Sequence, residues 1–230
     1  MTHGTHEWSN YKEYIARYFL ICLLLFLLAS CATFSYEKYP EHDYAVASWY
    51  GSDFQGKPTS SGEIFNMYAL TCAHKEYPFG TRLKVTNISN KKSVSCLVND
   101  RGPFVEGRDI DLSYAAAKEI GLIGHGVCDV TIEYLGRDTS YVKEVKYLSD
   151  SGVFTIQVGS FSDRLNAVRM KAALEFKYSN VFINEVEING KQYYRVRIGK
   201  FYKRDDAYQL AETLADEGYE VLITSYDENI

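Results

Sequence analysis

Two carboxylates, Asp100 and Asp111, are the side chains of this sequence best placed to do chemistry. They lie eleven positions apart, each closing a short apolar run. Val94, Cys96, Leu97 and Val98 form a β-rich run that stops at Asn99-Asp100-Arg101-Gly102-Pro103. Asn, Asp, Gly and Pro are turn formers, so the strand ends there and carries Asp100 at its tip. A second short run delivers Asp111. Ser113 then stands where an N-cap would open a helix over 114–120, and Gly121 where a C′ glycine would close it. If both carboxylates face one cleft, two like charges raise the pKa of one of them. A carboxyl that stays protonated near neutrality is a general acid. The plainer alternative makes Asp100 a turn former and Asp111 a helix-entry residue, with no cleft between them.

Such tips need a frame, and residues 45–136 supply one. The stretch 45–50 alternates as a strand and ends at Gly51. Residues 52–65 form a polar, Gly-punctuated loop that holds Glu63 just before Phe65. A short apolar piece over 68–73 carries Cys72 and is followed by His74. Strict alternation predicts a strand over 81–87 and its hairpin partner over 93–98, and 127–135 is a last strand of period two. Short strands, tight turns and a short helix predict a small closed barrel, which has no exposed edges.

The composition changes again at Gly152, after a polar stretch over 137–151 that reads as a linker. Beyond it the sequence repeats with a spacing of forty residues: Gly159 matches Gly199, Phe161 Phe201, Arg164 Arg204, Ala167 Ala207 and Leu174 Leu214. Each unit reads as strand, Gly turn and amphipathic helix, and 181–188 and 220–224 read as the strands that close the units. Asn189-Gly190 between two strand patterns marks a hairpin. Residues 152–227 are therefore predicted as β-α-β-β-α-β, a four-stranded ferredoxin-like sheet with two helices on one face. Alternation sends Thr155, Gln157, Arg195 and Arg197 to the opposite face, which is either a binding platform or a solvated surface.

The amino end carries an address. Lys12 and Arg17 precede an apolar run over 18–28, and Leu28-Ala29-Ser30-Cys31 follows. A basic flank, a short apolar core and small residues make a secretory signal, too short to span a bilayer. Leu28-Ala29-Ser30-Cys31 looks like a bacterial lipobox, in which Cys31 is lipidated and becomes the new amino terminus; 1–31 is then the signal and 32–44 a tether. Ala32 rather than Asp after the cysteine implies sorting to an outer membrane. The alternative is an uncleaved anchor running on through Phe34. A net charge of −5 argues against nucleic-acid binding, which needs a basic surface. The histidines and cysteines show no metal-ligand spacing, and no cofactor is expected. Cys72, Cys96 and Cys128 leave an odd number of thiols after processing, and isolated cysteines on strands are more often small buried apolar residues.

Taken in order, Ala47-Ser48-Trp49-Tyr50-Gly51, Ser61-Gly62-Glu63-Ile64-Phe65, Thr71-Cys72-Ala73-His74-Lys75, Pro78-Phe79-Gly80-Thr81, Val98-Asn99-Asp100-Arg101-Gly102-Pro103 and Ile110-Asp111-Leu112-Ser113 resemble the rare lipoprotein A family. The tail from Phe154 to Ser225 resembles its SPOR domain. The resemblance implies a six-stranded double-psi β-barrel over 45–136 and a glycan-binding SPOR domain over 152–227. It implies a septal lytic transglycosylase that cuts the MurNAc–GlcNAc bond of peptidoglycan, prefers strands stripped of stem peptides and leaves 1,6-anhydro ends. The partners are then denuded glycan, the membrane through Cys31, and candidate septal proteins. Matching positions implicate Glu63, His74 and Asp100 in the groove; more distant barrel relatives, expansins and membrane-bound lytic transglycosylase A, point to Asp111. Trp49, Tyr50, Asn99 and Arg101 are candidate groove residues, and Gln157, Phe161, Tyr194, Arg195 and Arg197 candidate glycan contacts of the second domain. Two features depart from the family pattern: Asn66 stands where Asp is frequent, and the linker is short, which implies that the two domains lie close together.

The chemistry fits a small set of groups. A glycosidic bond leaves through an oxocarbenium-like state, so an acid must protonate the leaving oxygen. A lytic transglycosylase uses no water, because the muramic acid 6-hydroxyl attacks its own anomeric carbon. One acid/base can then serve both steps, with Asp100 and Asp111 both open for that role. The competing expectation is an expansin-like lipoprotein that binds glycan at the septum without cutting it.

Overall fold

The computed structural model describes residues 43–148 and 152–226. The predicted signal, the lipobox Cys31 and most of the tether lie outside the described residues, as do 149–151 at the end of the expected linker.

Six strands close into a barrel: β1 (Asp43–Trp49), β2 (Thr71–His74), β3 (Thr81–Asn87), β4 (Ser93–Asp100), β5 (Ile110–Leu112) and β6 (Cys128–Arg137). Their order around the barrel is β1-β5-β2-β4-β3-β6. The pairs β1/β5 and β2/β4 are parallel and the rest antiparallel. Strict alternation in β3 explains the fit, since Leu83 and Val85 point into the barrel and Arg82 points out. Leu83, Val85, Val98, Ile110, Leu112 and Ile132 fill the interior. Helix α1 (Tyr114–Glu119) forms as its caps dictate: the Ser113 hydroxyl accepts from the Ala116 N–H at 3.1 Å, and Gly121 takes φ +70°.

The second sheet holds β7 (Val145–Tyr147), β8 (Phe154–Phe161), β9 (Val181–Ile188), β10 (Lys191–Phe201) and β11 (Val221–Ser225), in the order β7-β11-β8-β10-β9. Helices α2 (Arg164–Glu175) and α3 (Arg204–Asp216) bury Ala167, Leu174, Ala207 and Leu214 against the row Ile156, Val196, Ile198 and Ile223. The last four strands give the expected ferredoxin-like order. The sheet nevertheless has five strands, not four: β7 comes from the segment read as linker and pairs in parallel with β11. Three residues are too few for a period to show in sequence. Asn189 and Gly190 turn the hairpin at φ +52° and +74°, as a primed turn requires.

The expected polar platform needs correction. Arg197, expected on open display, is 1% exposed, and Thr155 is fully buried with its hydroxyl donating to the Ile198 carbonyl at 3.1 Å. Tyr194 shares its parity with buried Val196 and Ile198, so it belongs to the helix-side row, while Gln157 and Arg195 are half-buried.

The two domains are locked together. Arg101, directly after β4, donates from Nε to the Tyr219 hydroxyl at 2.8 Å and from Nη1 to the Tyr77 carbonyl at 2.9 Å. Its guanidinium stacks 3.8 Å from the Phe79 ring centre. The Phe79 N–H donates to the Glu217 carbonyl at 3.0 Å, and the Lys143 N–H to the Ala215 carbonyl at 2.9 Å. Gly218 makes this approach feasible, at φ +98° with an added Cβ falling 3.0 Å from Phe79 Cβ.

Candidate functional site

A cleft of about 480 Å³ opens beside the ends of β4 and β5. Trp49, Tyr50, Phe54, Ser60, Asp100 and Asp111 line its barrel side. Strand register explains why both carboxylates reach it. Ala73 of β2 is level with Asp100 on one side and with Asp111 on the other, so the two acids stand in one row across three strands. At the usual strand spacing that places their Cα atoms roughly 10 Å apart.

Asp100 is set apart by its hydrogen bonds and the direction of its pKa shift. Its Oδ1 accepts backbone N–H bonds from Ser60 and Arg101, both at 2.8 Å. Its Oδ2 accepts from the Tyr50 hydroxyl at 3.1 Å. Burial raises its pKa above the ordinary carboxylate value, against the opposing pull of these hydrogen bonds. Oδ1 is committed to two N–H donors, and Oδ2 is the less occupied oxygen. Tyr50 stays a phenol, because burial and then the Asp100 and Asp111 charges push its own pKa up.

Asp111 has a different setting. Arg108 Nη2 donates to both its oxygens, at 2.6 and 2.7 Å, and the Ser48 hydroxyl donates to Oδ1. Asp111 is buried and tied to a cation. The expectation that a close carboxylate pair perturbs one member is therefore replaced: burial lifts Asp100, and Asp111 is engaged by Arg108. The sequence gives no site role to Arg108, and it offers Ser48 only as part of a family motif. The signal for Arg108 was its position three residues before Asp111, which is common on any charged surface.

Glu63 and His74 stand outside the lining of the cleft. Glu63 Oε2 accepts from Asn99 Nδ2 at 2.6 Å, and its other oxygen accepts from the Tyr141 hydroxyl. It thus ties the 52–65 loop to β4 and to the segment after the barrel. His74 Nδ1 accepts the Glu76 and Tyr77 N–H groups at 3.1 and 3.2 Å, and its ring packs 4.5 Å from Tyr77. Burial, then the neighbouring Arg101 charge, pushes its pKa down to about 4, so it is a neutral acceptor that shapes the turn. Asn99 is buried and serves Glu63 rather than the cleft. Trp49 lines the cleft with its ring against Tyr114, 5.8 Å between centres. Asn66 accepts from the Tyr68 N–H at 3.0 Å, a turn that Asp would make equally well, and it too lies outside the lining.

The opposite wall comes from the second domain: Phe161, Asn166, Arg169 and Met170 line the same cleft. Phe161, expected as a glycan contact of the second domain, is among these cleft-lining residues. Cys72, Cys96 and Cys128 are free thiols. Among the described residues no group of three His, Cys, Asp or Glu side chains is arranged to hold a metal ion.

A closed double-psi barrel with a half-buried carboxyl in an open cleft, joined to a ferredoxin-like sheet, defines a two-domain protein of the double-psi-barrel class. A family model described as lytic transglycolase matches residues 43–132, and the SPOR domain model matches 150–224. The endolytic peptidoglycan transglycosylase RlpA of Campylobacter jejuni is 36% identical over 191 residues, covering 75% of this chain and 69% of that one. Its namesake from Vibrio cholerae is 39% identical over 174 residues, covering 76% and 65%. The chain belongs to the RlpA family. It spans about two thirds of the length of these two relatives. An expansin from Clavibacter michiganensis, 14% identical over 70% of this chain and 80% of its own, superposes with a TM-score of 0.35, too weak to carry an argument.

Proposed function

We propose that this chain is an endolytic peptidoglycan lytic transglycosylase in which Asp100 is the acid/base. The observation that carries this reading is the contrast between the two carboxylates of the cleft. Asp100 is half-buried at the cleft with a raised pKa, and its Oδ2 accepts only from the Tyr50 hydroxyl, whereas Asp111 is bound by Arg108. A water-using glycosidase needs a second free carboxylate as base or nucleophile. Here one free acid remains, which suits internal attack.

The step then runs as follows. Asp100 Oδ2–H protonates the oxygen that leaves C1 of N-acetylmuramic acid, and the C1–O bond breaks. The resulting carboxylate takes the proton of the C6 hydroxyl as O6 bonds to C1. The anhydro ring closes, no water is consumed, and Asp100 regains its proton. Proximity of the tethered hydroxyl supplies what a bound nucleophile otherwise would. Asp111, held by Ser48 and Arg108, orders the floor of the cleft, and Glu63 with Asn99 holds the 52–65 loop that supplies the Ser60 N–H.

The setting follows from the address and the second domain. Lipidated Cys31 anchors the protein to the outer membrane facing the periplasm, and the SPOR sheet recruits it to denuded glycan at the division septum through Gln157 and Arg195. Incubating the full chain with denuded glycan strands should release 1,6-anhydro-muramic ends detectable by mass, and Asp100→Asn should release none. Intact strands after incubation with the wild-type chain would leave a glycan-binding lipoprotein.

A further inference from the structure

We infer that Arg169 of the second domain is a specificity residue of the catalytic cleft, reading the free lactyl carboxylate of a muramic acid unit bound beside Asp100. The inference rests on the function proposed above and adds the substrate group that the far wall recognises.

Arg169 lines the cleft from α2, and its guanidinium lies 5.1 Å from the Phe54 ring centre, which fixes it over the barrel side. The other arginines of the cleft are committed: Arg101 to Tyr219 and Tyr77, Arg108 to Asp111. On α2 itself, Arg164 pairs with Glu185 at 3.5 Å. No ion pair or hydrogen bond occupies Arg169 among the described residues, so its planar set of N–H donors is available to a ligand. A guanidinium already stacked on an aromatic face gives up little freedom when it grips a carboxylate with two bonds. Asn166 lines the cleft from the same helix face, three residues earlier. It offers an amide of both polarities to an acetamido group.

The sugar polymer supplies a matching anion. Each muramic acid carries one lactyl carboxyl, which is an amide when the stem peptide is attached and a free carboxylate when it is removed. Arg169 therefore distinguishes the two by charge, inside the cleft where the bond breaks. The helix is positioned for this because Arg101, Gly218 and Glu217 lock the second domain onto the barrel.

The test compares denuded glycan strands with the same strands after conversion of their lactyl carboxylates to primary amides, using the full chain. The wild type should show KM about tenfold higher on the amide, the scale of one charge-assisted hydrogen bond. Arg169→Ala should show that higher KM on the acid strands and no further change on the amide, the loss falling on KM rather than kcat. Arg169→Lys should lie between. Arg169→Ala with the wild-type KM on acid strands, or with the acid-over-amide preference retained, would overturn the inference while leaving the activity intact. If the wild type releases no anhydro ends from either strand, the activity reading fails by itself. Calorimetry with a muramic acid tetrasaccharide and its amide then decides on Arg169: loss of acid-over-amide discrimination in Arg169→Ala supports the inference, and retained discrimination overturns it.

Discussion

At the scale of single residues, the protein rests on the unequal treatment of two aspartates. Asp100→Asn should lower the rate of anhydro-end release by about 10²–10⁴-fold, the range for a lost general acid, measured as product per enzyme on denuded strands. The pH dependence has a definite sign. In the proposed mechanism Asp100 must be protonated for the leaving group to depart, so the rate should fall as pH rises through its raised pKa. Stability follows the same proton. A carboxyl with a raised folded pKa binds more protons in the native than in the unfolded chain, so the fold weakens as pH rises from the ordinary carboxylate value through the raised one. Asp100→Asn, whose amide oxygen can still accept the Ser60 and Arg101 N–H groups, should therefore melt at a higher temperature than the wild type at pH 7. His74 works in the opposite direction. Its pKa falls from 6.5 to about 4 on folding, so the stability it contributes is complete above pH 6.5 and is lost as pH falls toward 4. His74→Gln should flatten the melting temperature across that window.

At the scale of elements, caps and glycines do work that sequence patterns advertise. Ser113 is buried and caps α1, the helix that follows Asp111. Ser113→Ala should cost about 1 kcal/mol by urea unfolding, the usual effect of a lost N-cap. The repeat of glycine two residues before phenylalanine also has a physical reason. A Cβ on Gly159 would meet the Phe161 ring at 2.7 Å, and one on Gly199 the Phe201 ring at 2.5 Å. Each glycine leaves room for the ring to fold back over its own strand. Gly80 serves the barrel in a related way: at φ +85°, an added Cβ would lie 2.6 Å from the Asp138 carbonyl oxygen. Each of these positions was legible as punctuation, but the partner that makes it necessary was not. β7 was illegible altogether, since three residues carry no period and pair only because β11 is already in place.

At the scale of the whole molecule, the two domains behave as one body through a joint centred on Arg101. Its guanidinium meets Tyr219, Tyr77 and Phe79 at once, and it follows Asp100 directly in sequence. The wild type should unfold in a single calorimetric transition. Arg101→Ala and Gly218→Val should each split it into two or lower the melting of the second domain, with Arg101→Ala also slowing glycan cleavage through loss of the far wall. The turn chemistry around Asp100, the alternation of β1, β3 and β6, the caps of α1 and the forty-residue repeat are local interactions, so the chain carried them in plain order. Which carboxylate has its pKa raised by burial, that Arg108 occupies the other, that Arg197 goes inside and that α2 completes the cleft were decided only by the tertiary fold. These depend on strand register and domain docking between residues as distant in sequence as Phe79 and Glu217, and no spacing along the sequence encodes burial or a partner at that distance.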